Sequence, residues 1–192
     1  MRALSHICHS IASLLMKTIN LRSFRQIVRH NKRRIRIFLS RLKRTTPRGL
    51  DNLIKTADQS VWKELNCLDC ANCCKTMSPT YTAVDISRIS QHLGMTVKEF
   101  RNKWLYKDSN GDWLNVKQPC QFLDLDSNKC SIYEVRPKDC AGFPHHTKKR
   151  MVDYMHVYKQ NIEYCPATYQ VVKKMMESMA APVHAVKEKH PQ

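Results

Sequence analysis

With 192 residues, the chain has room for one domain and an extension rather than two full domains. Its formal charge of +17 sits almost wholly in the first 50 residues, which carry 13 Lys or Arg and no Asp or Glu; the remainder sets 20 basic against 16 acidic residues and is close to neutral. Binding of an anionic partner through charge is therefore confined to the N-terminal arm, and no apolar run reaches the eighteen or so residues that cross a bilayer.

The arm contains a mildly apolar stretch, Ile7 to Met16, interrupted by Cys8, His9, Ser10 and Ser13 and followed by Lys17 without a small-residue cleavage site, which does not match a secretory signal. Cys8 stands alone and reads as a small hydrophobe; Met16 offers a second start. Residues 17–45 show helical periodicity. Phe24, Ile27, Val28, Asn31, Ile35, Phe38, Leu39 and Leu42 form one stripe, flanked or opposed by Arg25, Arg29, Lys32, Arg33, Arg36, Arg41, Lys43 and Arg44. This predicts a basic amphipathic helix ended at Thr45-Thr46-Pro47, because proline disfavours helical backbone in the residue before it. Such a helix can dock its stripe on the rest of the protein, lie peripherally on an anionic membrane, or contact nucleic-acid phosphates, although few aromatic residues interleave for base stacking. An Arg-rich, acid-free arm also matches a mitochondrial-type presequence.

A second helix is expected from Leu50, with Leu50, Leu53, Ile54, Ala57, Val61 and Leu65 on one face. Thr82-Ala83-Val84-Asp85 and Thr96-Val97-Lys98-Glu99 fit capping boxes and predict two short helices, the first closed by Gly94. Asn110-Gly111, between Trp104-Leu105-Tyr106 and Trp113-Leu114-Asn115-Val116, signals a hairpin. Asp126-Ser127-Asn128-Lys129 is a further turn. Pro166 suits the first position of a final helix with Val172, Met175, Met176 and Met179 facing inward, ahead of a frayed tail after Pro182.

Eight of the nine cysteines lie between residues 67 and 165: Cys67, Cys70, Cys73, Cys74, Cys120, Cys130, Cys140 and Cys165. Four thiols within eight residues are an oxidation liability without packing benefit, whereas short C-x2-C loops bring sulfurs to one side of the backbone, as a soft metal ion or iron–sulfur cluster requires. A disulfide scaffold fits poorly with the adjacent pair Cys73-Cys74 and an arm unlike a signal peptide, so a reducing cytoplasm is the expected setting. A zinc ribbon would need a second C-x2-C knuckle, and nothing after residue 74 supplies one. The C-x2-C-x2-C run at Cys67, Cys70 and Cys73 instead matches the opening of ferredoxin spacing, and Cys165-Pro166 echoes its distant Cys-Pro ligand. All eight thiols are candidate ligands for one or two centres, with an iron–sulfur cluster (4Fe-4S) preferred over zinc or iron ions. On an extended backbone, Cys73 and Cys74 would point apart and serve different ions or roles.

The series Cys67-x2-Cys70-x2-Cys73-Cys74, Pro119-Cys120-Gln121-Phe122-Leu123, Cys130-Ser131-Ile132-Tyr133-Glu134, Arg136-Pro137, Cys140 and Phe143-Pro144 resembles the YkgJ-type CxxCxxCC family, described as zinc- or iron-chelating. The resemblance runs from residue 67 to about 170 and implies a small bacterial metalloprotein. Some relatives are flagellin lysine N-methylases, which implies that a cluster-dependent protein-modifying activity is open to this chain. The family often has a basic residue after the cysteine matching Cys140; this chain has Ala141.

His145-His146 offer a ligand or proton-handling group near Cys140, or a solvated loop pair, the latter favoured where eight thiols are at hand. His92 and His156 have no clustered partner and read as structural. Arg136 is expected to pair with Glu134 or another carboxylate and fix the Ile132–Pro137 loop. Lys75, Lys129, Lys138 and Lys148 can offset thiolate charge, although surface lysines seldom do. No Gly-rich phosphate loop or Ser/His/Asp constellation is present. The expectation is a small α+β, metal-centred domain of short helices and hairpins over 49–180, preceded by a basic arm over 1–48 and followed by a tail over 181–192. Its function would be metal binding, with a protein-modifying enzyme or a zinc-stapled adaptor for nucleic acid or membrane as alternatives.

Overall fold

The computed structural model describes residues 19–180 except 147 and 149, so Cys8, the Ile7–Met16 stretch and the tail lie outside the described residues. The elements in chain order are α1 (Leu21–Arg44), α2 (Leu50–Trp62), α3 (Asn72–Thr76), α4 (Ala83–His92), α5 (Val97–Trp104), β1 (Leu105–Lys107), β2 (Trp113–Asn115), α6 (Lys138–Gly142), α7 (Met155–Asn161) and α8 (Pro166–Ala180). Short 3-10 turns occupy Cys67–Asp69, Tyr133–Val135 and Met151–Tyr154. The expected α+β class holds: helices predominate around one two-stranded antiparallel sheet.

Asn20 starts α1 by accepting the Ser23 N–H on its side chain at 3.0 Å, which puts the helix start after residue 17. The helix ends at Arg44, where Arg41, Lys43 and Arg44 meet the partial negative charge of its carbonyls. Phe24, Val28, Ile35, Leu39 and Leu42 are buried, so the apolar stripe docks on the protein. Ile27 does not join them. It is 49 % exposed, because it falls beside the line that those five residues share, and half-buried Asn31 turns its amide back to the Ile27 carbonyl at 2.9 Å.

α1 packs across α7 and α8, and α2 packs along α8. Together they close the larger core, with Ile54, Val61, Met155, Tyr158, Ile162, Val172 and Met175 inside. The expected face of α2 is realised as far as Val61; Leu53 is only partly buried at its edge, and Leu65 lies past the helix end, packed partly buried against the same core. In α8, Val172 and Met175 are fully buried, but Met179 is 45 % exposed because the last turn runs past the core. His146 belongs to this core and not to a solvated loop: its Nδ1 meets Asp58 at 2.7 Å, its Nε2 meets Thr168 at 2.9 Å, and its ring stacks on Tyr158. Trp62 Nε1–H donates to the same Asp58 oxygen at 2.8 Å, so these buried polar groups are all matched.

A second, smaller core gathers Tyr81, Ile86, Ile89, Phe100, Leu105, Phe122 and Ile132. Both predicted capping boxes form, Thr82 with Asp85 and Thr96 with Glu99, and Gly94 follows α4 at φ 65° as predicted. The hairpin also forms, with Leu105 opposite Asn115 and Lys107 opposite Trp113. Its connection is the five residues Asp108 to Asp112 and not a two-residue Asn-Gly turn. Asp108 Oδ1 accepts N–H groups from both Asn110 and Asp112 at 2.9 Å, which widens the loop, and Trp104 ends α5 without entering the strand. The turn before Cys130 is closed in a similar way by Asp124, which accepts from Asp126, Ser127 and the Ser127 hydroxyl.

Candidate metal centre

The segment that carries the first four cysteines folds as a tight turn running into a helix. Asn66 accepts the Leu68 N–H at 3.1 Å and opens the 3-10 turn, whose Cys67 carbonyl receives the N–H groups of Cys70 and Ala71. Ala71 then takes a left-handed conformation, φ 46°, and reverses the chain into α3, which carries Cys73 and Cys74. The backbone at Cys73-Cys74 is therefore helical and not extended. Their sulfurs lie 3.9 Å apart, and both line one cavity.

That cavity, about 200 Å³, lies where the two cores meet: Tyr81, Phe122 and Ile132 from the smaller core and Phe143 beside the larger one form its walls. Six thiols line it: Cys67, Cys73, Cys74, Cys120, Cys130 and Cys140. The Cys120 N–H donates to the Cys74 carbonyl at 2.8 Å, and an isolated bridge pairs Leu123 with Cys130, so both later cysteines are tied to the first group through backbone. α6 supplies Cys140, and its Asp139 is clamped by the Thr80 N–H at 3.1 Å and His145 Nε2 at 2.9 Å. His145 thus faces a carboxylate beside Cys140 instead of standing in solvent.

Cys70 and Cys165 do not reach this cavity. Both are buried, and with Cys67 and Cys73 they line a smaller cavity of about 30 Å³ against Trp62, Leu65 and Pro166. Cys67 and Cys73 border both spaces. All eight are free thiols. Among the described residues no three Cys, His, Asp or Glu side chains already form an ion-holding group; the thiols line the cavity walls.

Their electrostatics are uneven. A hydrogen bond from Cys73 brings the Cys67 thiol down to about 7 against the cost of burial, helped by the Arg136 cation, and Cys73 also holds Cys74 below the ordinary thiol range. Cys73, as donor to both, is driven strongly upward. Burial raises Cys70, Cys120, Cys130 and Cys140, and pushes Cys165 up to about 11. Thiols so buried become thiolates only where positive charge offsets the desolvation. A soft cation fits this donor set. Asn115 supports the fit: its buried Nδ2 has no hydrogen-bond partner among the described residues, and its side chain favours the thiolate of Cys120.

Sequence reasoning named Arg136 as a loop-fixing residue that could also support the metal ligands, and it missed Asn115. Arg136 makes no pair with Glu134. It lies over the Tyr133 ring at 3.8 Å, donates to the Tyr133 carbonyl at 2.6 Å, and lines the cavity as a cation acting on Cys67 and Cys130. Asn115 was visible only as a polar residue ending an otherwise apolar strand; it is buried and accepts from the Tyr81 hydroxyl at 2.7 Å. Of the lysines, Lys75 acts on Cys70 and Cys74, while Lys148 lies over the Tyr154 ring. His92 and His156 are exposed, and neither lines either cavity.

The family model CxxCxxCC, described as "Putative zinc- or iron-chelating domain", matches residues 66–166. An uncharacterized protein of Methanocaldococcus jannaschii is 31 % identical over 87 residues, or 44 % of this chain and 47 % of that protein. The chain thus spans about half the length of this curated relative. No solved structure matches. The matched segment takes in just over half of the chain and all eight cysteines described above, and the chain belongs to the CxxCxxCC family of zinc- or iron-chelating domains.

Proposed function

We propose that the eight cysteines hold two adjoining metal centres of four thiolates each: Cys67, Cys70, Cys73 and Cys165 in one, Cys74, Cys120, Cys130 and Cys140 in the other. The observation that carries this reading is the division of the thiols between two cavities. Cys70 and Cys165 border only the small one, and Cys74, Cys120, Cys130 and Cys140 only the large one. Cys67 and Cys73 border both, and the first set is completed by them because it otherwise lacks donors. Contact between Cys73 and Cys74 joins the two sets.

For the first set the C-x2-C-x2-C run and Cys-Pro partner match ferredoxin-like ligation, while the space they line, about 30 Å³, has room for a single zinc or iron ion and would have to widen to take a cluster. A bound cluster would supply one-electron transfer at a potential set by its surroundings, and a bound zinc ion a structural clamp. Arg136 and Lys75 offset thiolate charge, Asn115 steadies Cys120, and Phe122, Ile132 and Phe143 wall the site against water. A reducing cytoplasm suits free thiols of this number. The role that follows is electron transfer or metal handling. Absorption and elemental analysis of protein purified without oxygen test it: broad visible absorption with iron and acid-labile sulfide supports clusters. Colourless protein with stoichiometric zinc would remove the redox reading and leave a structural site.

A further inference from the structure

The metal centres leave α1 unexplained. Its stripe docks on the larger core, yet the helix carries far more positive charge than docking requires. Lys32 and Arg36 on one flank meet Glu163 at 2.7 and 3.6 Å. On the other flank, Arg33, Arg34, Arg41 and Arg44 have no ion pair among the described residues. These four arginines rim an open groove of about 880 Å³ between α1 and the end of α8, and among the described residues no acidic side chain lines it. Its floor is apolar: Phe38, Leu42 and Met176 lie deep, while Ile37 and Met179 stand 44 % and 45 % exposed. Ile27, 49 % exposed, continues the same flank one turn-pair before Arg34.

We propose that this flank seats the protein on an anionic phospholipid surface. Guanidinium groups along one edge of an apolar strip match the two layers that a bilayer presents within a few ångströms, phosphates above and acyl chains below. A nucleic-acid backbone matches only the first, since it offers nothing to Ile37, Met179 and Ile27, and of the groove's rings Phe38 is half-buried, which leaves only the small imidazole of His30 exposed for stacking. The charge is also concentrated as an electrostatic membrane anchor needs, with no carboxylate in residues 1–50 to oppose it. None of the helices among the described residues is long and apolar enough to cross a membrane, so attachment would be peripheral.

The test is sedimentation of the full-length, metal-loaded chain with vesicles of phosphatidylcholine alone or mixed with phosphatidylglycerol, at low and moderate salt, with duplex DNA as a parallel ligand. Two variants, Arg34→Glu/Arg41→Glu and Ile37→Ser/Met179→Ser, alter exposed side chains, and circular dichroism and metal content check that fold and centres are intact. The expected result is binding to the anionic vesicles only. Charge reversal should weaken it roughly tenfold or more, and the serine pair should weaken it severalfold with greater sensitivity to salt. Absence of vesicle binding, or binding that neither variant diminishes, would overturn the proposal. So would DNA binding tighter than vesicle binding that falls with the arginines and ignores the serine pair. Because metal content is read separately, failure here leaves the two-centre reading standing, and loss of that reading leaves this one.

Discussion

Cys67 concentrates the chemistry of the site in one residue. It is the exposed thiol of the eight, borders both cavities, and is lowered to about 7 by the Cys73 hydrogen bond. The thiolate is the reactive form and becomes populated as pH rises through that value. In metal-free protein near pH 7, brief alkylation followed by peptide mapping should therefore mark Cys67 first, then Cys74, while Cys140 and Cys165 stay unmodified. Early labelling of Cys165 would show that its burial is misjudged. His146 answers differently. Replacing it with alanine leaves Asp58 with Trp62 Nε1–H alone, strips the Thr168 hydroxyl of its imidazole partner inside the larger core, and should cost on the order of 3 kcal/mol, seen as a lower denaturation midpoint. The thiols were legible from their spacing alone, because C-x2-C loops constrain local geometry. His146 was not, since its partners lie 88 and 22 residues away in sequence.

Among the elements, α4 shows how a helix end can hold a distant loop. Asp85 closes the capping box with Thr82, pairs with Arg88 at 2.7 Å and accepts the Lys138 N–H at 3.0 Å, which fixes the start of α6 and thus Cys140. Burial works against its charge, but the hydrogen bonds from Thr82, Lys138 and Arg88 together outweigh that and depress its carboxyl. A depressed folded pKa means stabilisation that is complete above the unfolded value of about 3.9 and is lost as pH falls through the lower folded one. Asp85→Asn should therefore flatten the acid limb of stability below about pH 4 and cost about 2 kcal/mol at neutral pH; denaturant titrations over pH measure both. An unchanged acid limb would assign that limb to other carboxylates. The capping boxes were readable because they are local in sequence. The hairpin was readable for the same reason: Asn110-Gly111 marks its connection, and the Asp108 side chain sets the five-residue length by satisfying two backbone N–H groups at once. The exposure of Ile27 and Met179 depended on how far each core extends, which periodicity does not encode.

For the whole molecule, the decisive arrangement is a thiol-lined cavity where a larger helical core meets a smaller aromatic one. Phe100 is fully buried and stacks in parallel on Phe122, a cavity wall, at 6.2 Å between ring centres. Phe100→Ala should cost about 3–5 kcal/mol. It should also loosen metal held by Cys120 and Cys130 before metal held by Cys70 and Cys165, as a chelator competition would resolve. The fold class and family could be read from sequence because cysteine spacing and helix punctuation are local. The division of the thiols between two cavities could not, since it arises only when residues 67–74 meet Cys120, Cys130, Cys140 and Cys165 in space. That division is the central claim. Its most direct test is the metal content per chain of anaerobically purified wild type beside Cys140→Ser and Cys165→Ser. Two centres predict that each variant keeps about half of the wild-type metal; loss of all of it in both variants, or of none in either, would contradict the account.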